Sequence, residues 1–267
     1  MELTARYGLE FNPFLKNSKE ILYTGSEYNE ALFRLDYLAG VKGFGLLTGA
    51  PGRGKTTVVR NWSAKLNPSL FKVIYTSLST VTVNDFYRNL AFSLGAQAAY
   101  RKTENFHAIQ GEITRLALDK KKTPVIIIDE ANYVSNAILN DLKILFNFEM
   151  DSCDRAVILL VGLPQVNNTL QLSIHEPLRQ RIIMNYNLDG LSKEEGREYI
   201  ETKLKGAGCN QPVFAEDAIE AVLNTADGTA RMISKLCNAS LVIGHSREVN
   251  PISAEIVMQA INDITIA

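Results

Sequence analysis

Five short apolar runs punctuate the middle of the chain: Phe44–Leu47, Val73–Tyr75, Val125–Ile128, Val157–Val161 and Ile182–Leu188. Between them lie longer stretches whose apolar residues recur at helical spacing, Thr56–Leu66, Val83–Leu94, Phe106–Leu118 and Ile138–Phe148. Runs too short for helices that alternate with helical stretches predict a parallel sheet with helices on both faces. After Leu188 the alternation stops. Ser192–Lys205, Ala215–Ala226, Thr229–Ile243 and Ser253–Ile264 all carry the helical period, and Ser192 with Glu195 three residues on is a capping box. Ahead of the first run, Glu27–Leu38 also reads as a helix. The pattern therefore predicts three segments: an N-terminal preamble over 1–40, an α/β domain over 41–189 and a small all-helical domain over 190–267.

Composition narrows the class. The chain has 267 residues, 46% hydrophobic and 21% charged, with a net charge of -1. That is too apolar for a disordered chain, and it offers no overall positive field to capture nucleic acid. Charge is nevertheless uneven: residues 190–267 carry seven basic and eleven acidic groups, leaving the rest of the chain at +3. Cys153, Cys209 and Cys237 form no CxxC pair, so reduced thiols are expected rather than a metal ribbon or a disulfide framework. His107, His175 and His245 have no metal-site spacing. Met1–Phe14 has no basic start followed by an apolar stretch, and the aliphatic runs fall far short of the ~20 residues that span a membrane, so a cytoplasmic protein with no membrane partner is expected.

The chemistry lies at two strand ends. Gly49-Ala50-Pro51-Gly52-Arg53-Gly54-Lys55-Thr56 fits GxxxxGK[ST], follows the first apolar run and opens a helix that continues through Thr57. Glycines let successive N–H groups turn inward around an anion, and the helix N-terminus adds partial positive charge. Lys55 supplies a mobile cation for the β- and γ-phosphates, and Thr56 a hydroxyl for Mg²⁺. The run Val125–Ile128 ends in Asp129-Glu130, a carboxylate pair at the sheet edge where ligands bind. Asp129 would hold Mg²⁺ through water, and Glu130 would polarise the attacking water.

Together, Gly49–Thr56, Asp129-Glu130 and the helical C-terminal segment resemble the P-loop ATPases of the AAA+ class. Tyr7-Gly-Leu-Glu-Phe-Asn-Pro-Phe14, Asp129-Glu-Ala131, Leu178-Arg-Gln-Arg-Ile182 and Asp227-Gly-Thr-Ala-Arg231-Met-Ile-Ser-Lys-Leu-Cys237 are similar to the ExeA/GspA-like branch. That branch is similar in turn to transposition helper ATPases of the TnsC, TniB and MuB kind. The resemblance implies ATP and Mg²⁺ as cofactors and a helical lid. It implies that Arg231 reaches the γ-phosphate of its own subunit, and that Arg181, with Arg179 as second candidate, enters a neighbour's site in a homo-oligomer, ring or filament. Gly49, Ala50, Pro51, Gly52, Arg53, Gly54, Lys55, Thr56, Thr57, Asp129 and Arg231 would bind the nucleotide, with Glu130, Lys55, Arg181 and Arg231 acting in turnover. Thr76 or Ser77 would be a polar switch touching Glu130, and backbone near Tyr7–Phe14 would meet the adenine. One feature departs from the wider class: Leu160-Val-Gly-Leu-Pro164 ends the fourth strand without a polar side chain, with Gln165 as a candidate substitute.

Three uses are compatible with this reading. The expected one is an ATP-dependent protein that oligomerises on duplex DNA and recruits or activates a partner transposase. The alternatives are an ExeA/GspA-type assembly ATPase of a secretion or envelope system, and a nucleotide switch that binds protein alone. An envelope ATPase of that kind is expected to continue into a membrane span and a wall-binding region, which tips the expectation toward transposition. Candidate DNA contacts are the loops Ser77–Asn84 and Ala96–Glu104, the second holding Arg101, Lys102 and Thr103, whose charges and hydroxyl suit phosphates rather than bases.

Overall fold

The computed structural model describes residues 2–76 and 81–264. In chain order the elements are α1 (Leu3–Arg6), α2 (Ser26–Val41), β1 (Gly43–Gly49), α3 (Lys55–Lys65), β2 (Phe71–Thr76), α4 (Val83–Leu94), α5 (Lys102–Thr114), β3 (Thr123–Ile128), α6 (Asn136–Leu145), β4 (Val157–Gly162), α7 (Gln165–Gln171), α8 (Glu176–Arg179), β5 (Ile182–Leu188), α9 (Lys193–Gly206), α10 (Glu216–Ala226), α11 (Ala230–Ser246) and α12 (Ala254–Ile264). Each predicted apolar run is a strand, and each predicted amphipathic stretch is helical within a few residues of its expected ends. The helix expected over 106–118 starts four residues earlier, at Lys102, and finishes in a π-type turn, Arg115–Asp119.

The chain divides into two compact units. One, the sheet unit, comprises Glu30–Ala50 and Lys55–Leu188; the other, the helical unit, comprises the residues up to Asn29, Pro51–Gly54 and the chain from Asp189 onward. The chain passes from one unit to the other after Asn29, Ala50, Gly54 and Leu188. Tyr7, Leu9 and Phe14 are buried with Phe214, Val213 and Leu241 in the helical core. The Tyr7 hydroxyl donates to the carbonyl of Val249 at 3.2 Å. Aromatic side chains at 7–14 therefore serve the helical core, while the second half of α2 turns Leu35 and Leu38 into the sheet unit.

In the sheet unit the strands are parallel in the order β2-β3-β4-β1-β5. All of β4 and all but the first residue of β3 are buried, as strands covered on both faces must be. Phe44, Leu46, Ile126, Ile128, Ile158 and Leu160 pack with α4, α5 and α6. On the other face Gly45 lets Leu38 of α2 close on the sheet, since a β-carbon there would stand 2.3 Å from Leu38 Cδ2. Trp62 of α3 is 1% exposed and donates its indole N–H to Asp36 at 3.0 Å. Burial of that much aliphatic surface, at about 25 cal/mol per Å², is the main force holding the strand ends in register.

The helical unit consists of α9 to α12 with the N-terminal segment. Its capping box forms as predicted: Ser192 accepts from the Glu195 amide and Glu195 from the Ser192 amide. The same Glu195 carboxylate accepts from the amide and hydroxyl of Ser26, both at 2.7 Å. One side chain thus caps α9 and ties the N-terminal segment to it.

Candidate functional site

Residues 49–56 turn from β1 into α3. Gly52 and Gly54 have φ of 80° and 99°, a left-handed conformation that side-chain-bearing residues adopt only at a cost. Gly49 is required by close approach, because a β-carbon would come within 2.8 Å of the Leu188 carbonyl oxygen. Lys55 opens α3 and donates its ammonium to the carbonyls of Gly49 (2.7 Å) and Ala50 (3.0 Å). Thr56, exposed, and Thr57, partly buried, follow in the first helical turn, whose N–H groups have no partner within the helix. Such a turn offers an anion a curved row of donors, a cation and a hydroxyl.

Asp129 ends β3 and is 6% exposed, while Glu130 beyond it is exposed. Asp129 Oδ1 accepts from the Glu130 amide at 2.8 Å and Oδ2 from the Tyr75 hydroxyl at 2.7 Å. Glu130 stands in left-handed backbone, φ 52°, which carries the chain into the turn Ala131–Tyr133. Burial, and then the bond to Asp129, push the Tyr75 phenol well above its ordinary 10.0, so it remains a proton donor to the carboxylate. The polar residue of β2 that touches this pair is therefore Tyr75, and it touches Asp129 rather than Glu130. Of the two expected switch residues, Thr76 accepts the Asp129 amide with its backbone carbonyl, and Ser77 lies outside the described residues. Tyr75 was obscured in the sequence because it reads as one more apolar member of a strand.

The arginines differ in their engagement. Arg231 lies in the first turn of α11, is exposed, and donates its backbone N–H to the Gly52 carbonyl at 3.3 Å. A β-carbon on Gly52 would stand 2.8 Å from Arg231 Cβ, so the loop glycine accommodates the α11 start. Arg181 donates to the Lys143 carbonyl at 2.8 Å and pairs with Asp151. Arg179 is exposed and reaches the Gln171 carbonyl at 3.3 Å. Gln165 is exposed at the start of α7.

Arg53 has a setting its motif position did not foretell. Within the helical unit its guanidinium donates to the Asp189 carbonyl and faces the Asp227 carboxylate at 3.6 Å. Gly190 and Gly228, at φ 100° and 67°, make room for it, since a β-carbon on either would overlap the guanidinium. Around it lies a cavity of about 660 Å³ whose lining includes Ser26, Glu27, Asp189, Leu191 and Asp227. In the stretch expected near the adenine, Tyr7–Phe14, the Tyr7 carbonyl accepts from Cys209 Sγ, and the Glu10 amide donates to the Ala207 carbonyl.

Arg101, Lys102 and Thr103 are exposed at the start of α5. Lys102 forms an ion pair with Asp141 at 2.5 Å and lies 5.2 Å from the centre of the Tyr87 ring. The segment before them is pinned by buried Asn105, whose carboxamide bonds both the amide and the carbonyl of Ala99. Of the other candidate loop, 77–80 lie outside the described residues, and Val83 and Asn84 already belong to α4. No helix of the described residues is long and apolar enough to cross a membrane.

A parallel sheet with a glycine-rich loop after β1 and an acidic pair after β3 defines a P-loop nucleotide-binding fold. Comparison with known proteins narrows this. Residues 39–170 match the family model of the AAA domain. General secretion pathway protein A of Aeromonas hydrophila is 30% identical over 251 residues, 91% of this chain and 45% of its own length. The chain thus spans less than half of that relative. Among solved structures, Cdc6p of Pyrobaculum aerophilum superposes with a TM-score of 0.69 at 18% identity, covering 96% of this chain and 72% of its own. A Drosophila ORC structure, described as bound to DNA, gives 0.72 at 14% identity, covering 100% and 67%. The chain therefore has the P-loop AAA+ fold that the Cdc6 and ORC structures share, and its sequence is similar to that of the secretion protein.

Proposed function

We propose that the chain binds magnesium-ATP at residues 49–57 and hydrolyses it, with turnover coupled to assembly of several copies. The observation that carries this reading is the strand order. Only β4 separates β1, which leads into the loop, from β3, which ends in Asp129-Glu130, so both motifs open at one sheet edge. Lys55 exchanges the carbonyls of Gly49 and Ala50 for phosphate oxygens. Thr56 and Asp129 are hard oxygen donors of the kind magnesium takes, and the bound metal neutralises charge on the phosphates. Glu130, exposed just past the buried Asp129, orients the attacking water. Arg231 serves its own subunit's nucleotide. Arg181, with Arg179 as the second candidate, serves a neighbour's, after leaving Asp151.

The similarity to General secretion pathway protein A runs along 91% of the chain and favours an assembly ATPase of a secretion or envelope system. A second reading, ATP-dependent duplex DNA binding with recruitment of a partner transposase, is supported by the exposed Arg101 and Thr103 at one helix start and by the fold shared with a protein described as bound to DNA. Fluorescence anisotropy with two unrelated duplexes, with and without a slowly hydrolysed ATP analogue, separates them. DNA binding should be nucleotide-dependent, indifferent to sequence, and steeply weakened between ~50 and ~200 mM salt. Replacing Arg101 and Lys102 by Ala should then weaken both duplexes equally. If neither duplex binds at low salt with nucleotide, the DNA reading falls and the assembly reading stands. Wild-type protein with no ATP turnover at any protein concentration would remove both.

A further inference from the structure

β4 occupies a demanding place. It lies between the strand that leads into the loop and the strand that ends in the acidic pair, so its C-terminal edge lies between the two motifs. Phosphoryl transfer to water gathers negative charge on the oxygens of the transferred group, and a fixed neutral donor at this edge would stabilise that charge and help seat the water. Yet β4 ends Val161-Gly162-Leu163-Pro164, with no side-chain donor at all.

The position is nonetheless filled by a polar side chain. Gly162 pairs with Thr48, the residue before the loop. A β-carbon on Gly162 would meet Asn132 Oδ1 at 3.0 Å, Asn132 N at 3.1 Å and Ala131 N at 3.2 Å. The turn after Asp129-Glu130 therefore leans over the end of β4 and lays the Asn132 carboxamide where a β4 side chain would otherwise project. The Leu163 amide donates to Asn132 Oδ1 at 3.0 Å. A backbone N–H can only donate, which fixes the oxygen on that side and leaves the two Nδ2 hydrogens as the donors the group can offer.

We propose that Asn132 is a catalytic residue of ATP hydrolysis: its Nδ2 donates to the γ-phosphate or the attacking water from the end of β4, in place of the side chain that strand lacks. This rests on the hydrolytic role proposed above for Glu130. The absence of any side chain at 162 is then a requirement, because it admits the carboxamide.

Asn132→Asp tests it, since the variant retains an acceptor for the Leu163 amide while replacing the donor with an acceptor. Single-turnover hydrolysis should fall about 10²-fold, the scale for loss of one transition-state donor. ATP affinity by calorimetry should stay within about threefold and the unfolding midpoint should not move. Affinity for ADP with aluminium fluoride, which mimics the phosphoryl group in transfer, should drop at least tenfold more than affinity for ATP. Unchanged hydrolysis, or equal losses for the two ligands, would overturn the proposal while leaving the site assignment intact. Hydrolysis that persists in Glu130→Gln would sink the underlying reading, and this inference with it. Asn132→Ala guards against an artefact of added charge: it should show the same split between the two ligands, and wild-type behaviour would overturn the role.

Discussion

The two units build polar settings by different means. In the sheet unit the important groups sit at strand ends, and the ladder places them: Thr48 opposite Gly162, Ile128 opposite Leu160, and the ends of β1 and β3 with only β4 between them. In the helical unit the setting around Arg53 is assembled from residues remote in sequence, Asp189, Gly190, Asp227 and Gly228, with two left-handed glycines leaving space for one guanidinium. The first arrangement is backbone geometry and tolerates changes in side chains that only line it. The second depends on side-chain volume and fails when space is lost. The sheet unit buries Asp129 beside its neighbour's amide and the Tyr75 hydroxyl, while Glu27, Arg53, Asp189 and Asp227 line the cavity of the helical unit.

The largest expected effect is in the sheet unit. Lys55→Ala should abolish measurable ATP binding while leaving the unfolding midpoint nearly unchanged, because the loop's glycines keep its shape. Calorimetry with ATP decides it, and wild-type affinity would remove the loop from the site. Glu130→Gln should leave ATP affinity intact and slow turnover by at least ~10²-fold.

Gly190→Ala should reverse that pattern. It forces a side chain into left-handed backbone and into the guanidinium of Arg53, and should cost on the order of 1–3 kcal/mol. Denaturant unfolding measures this. A neutral result would mean that Arg53 simply moves aside, and the contrast between the units would weaken.

Tyr75→Phe should act more gently. Asp129 loses one of its two donors but retains the Glu130 amide. The magnesium concentration needed for half-maximal turnover should rise a few-fold with little change in ATP affinity. No shift in a magnesium titration would make Tyr75 a packing residue.

The smallest effect concerns acid. His175 is fully buried, its Nε2 bonds Asn136 Oδ1 at 2.9 Å, and Nδ1 has no hydrogen-bond partner among the described residues. Burial, with help from the charge of Lys143, lowers its pKa below the ordinary 6.5. The unfolded chain therefore binds the extra proton first. Stability is fully present above pH 6.5, falls as pH drops below it, and levels off once the folded histidine also titrates. Unfolding midpoints at pH 7.5 and 5.5 should differ more for the wild type than for His175→Asn. Equal slopes would show that His175 is not the group that titrates.

The sequence alone determined the periodic elements, because the hydrophobic period is set by burial and each strand and helix must carry its own. It also located the loop and the acidic pair, whose chemistry depends on residues adjacent in the chain. The Ser192–Glu195 cap was legible for the same reason. Tertiary structure decided what depends on which strands become neighbours and which side chains compete for one volume. The preamble was divided between the units because its aromatics found the helical core. Tyr75 met Asp129 because β2 pairs with β3, and no spacing in the chain records that pairing. The polar group missing from the end of β4 could be sought along the chain only at Gln165. Asn132, whose Oδ1 accepts from the Leu163 amide at 3.0 Å, lies 31 residues from it in sequence, and the pairing of β3 with β4 brings the two together.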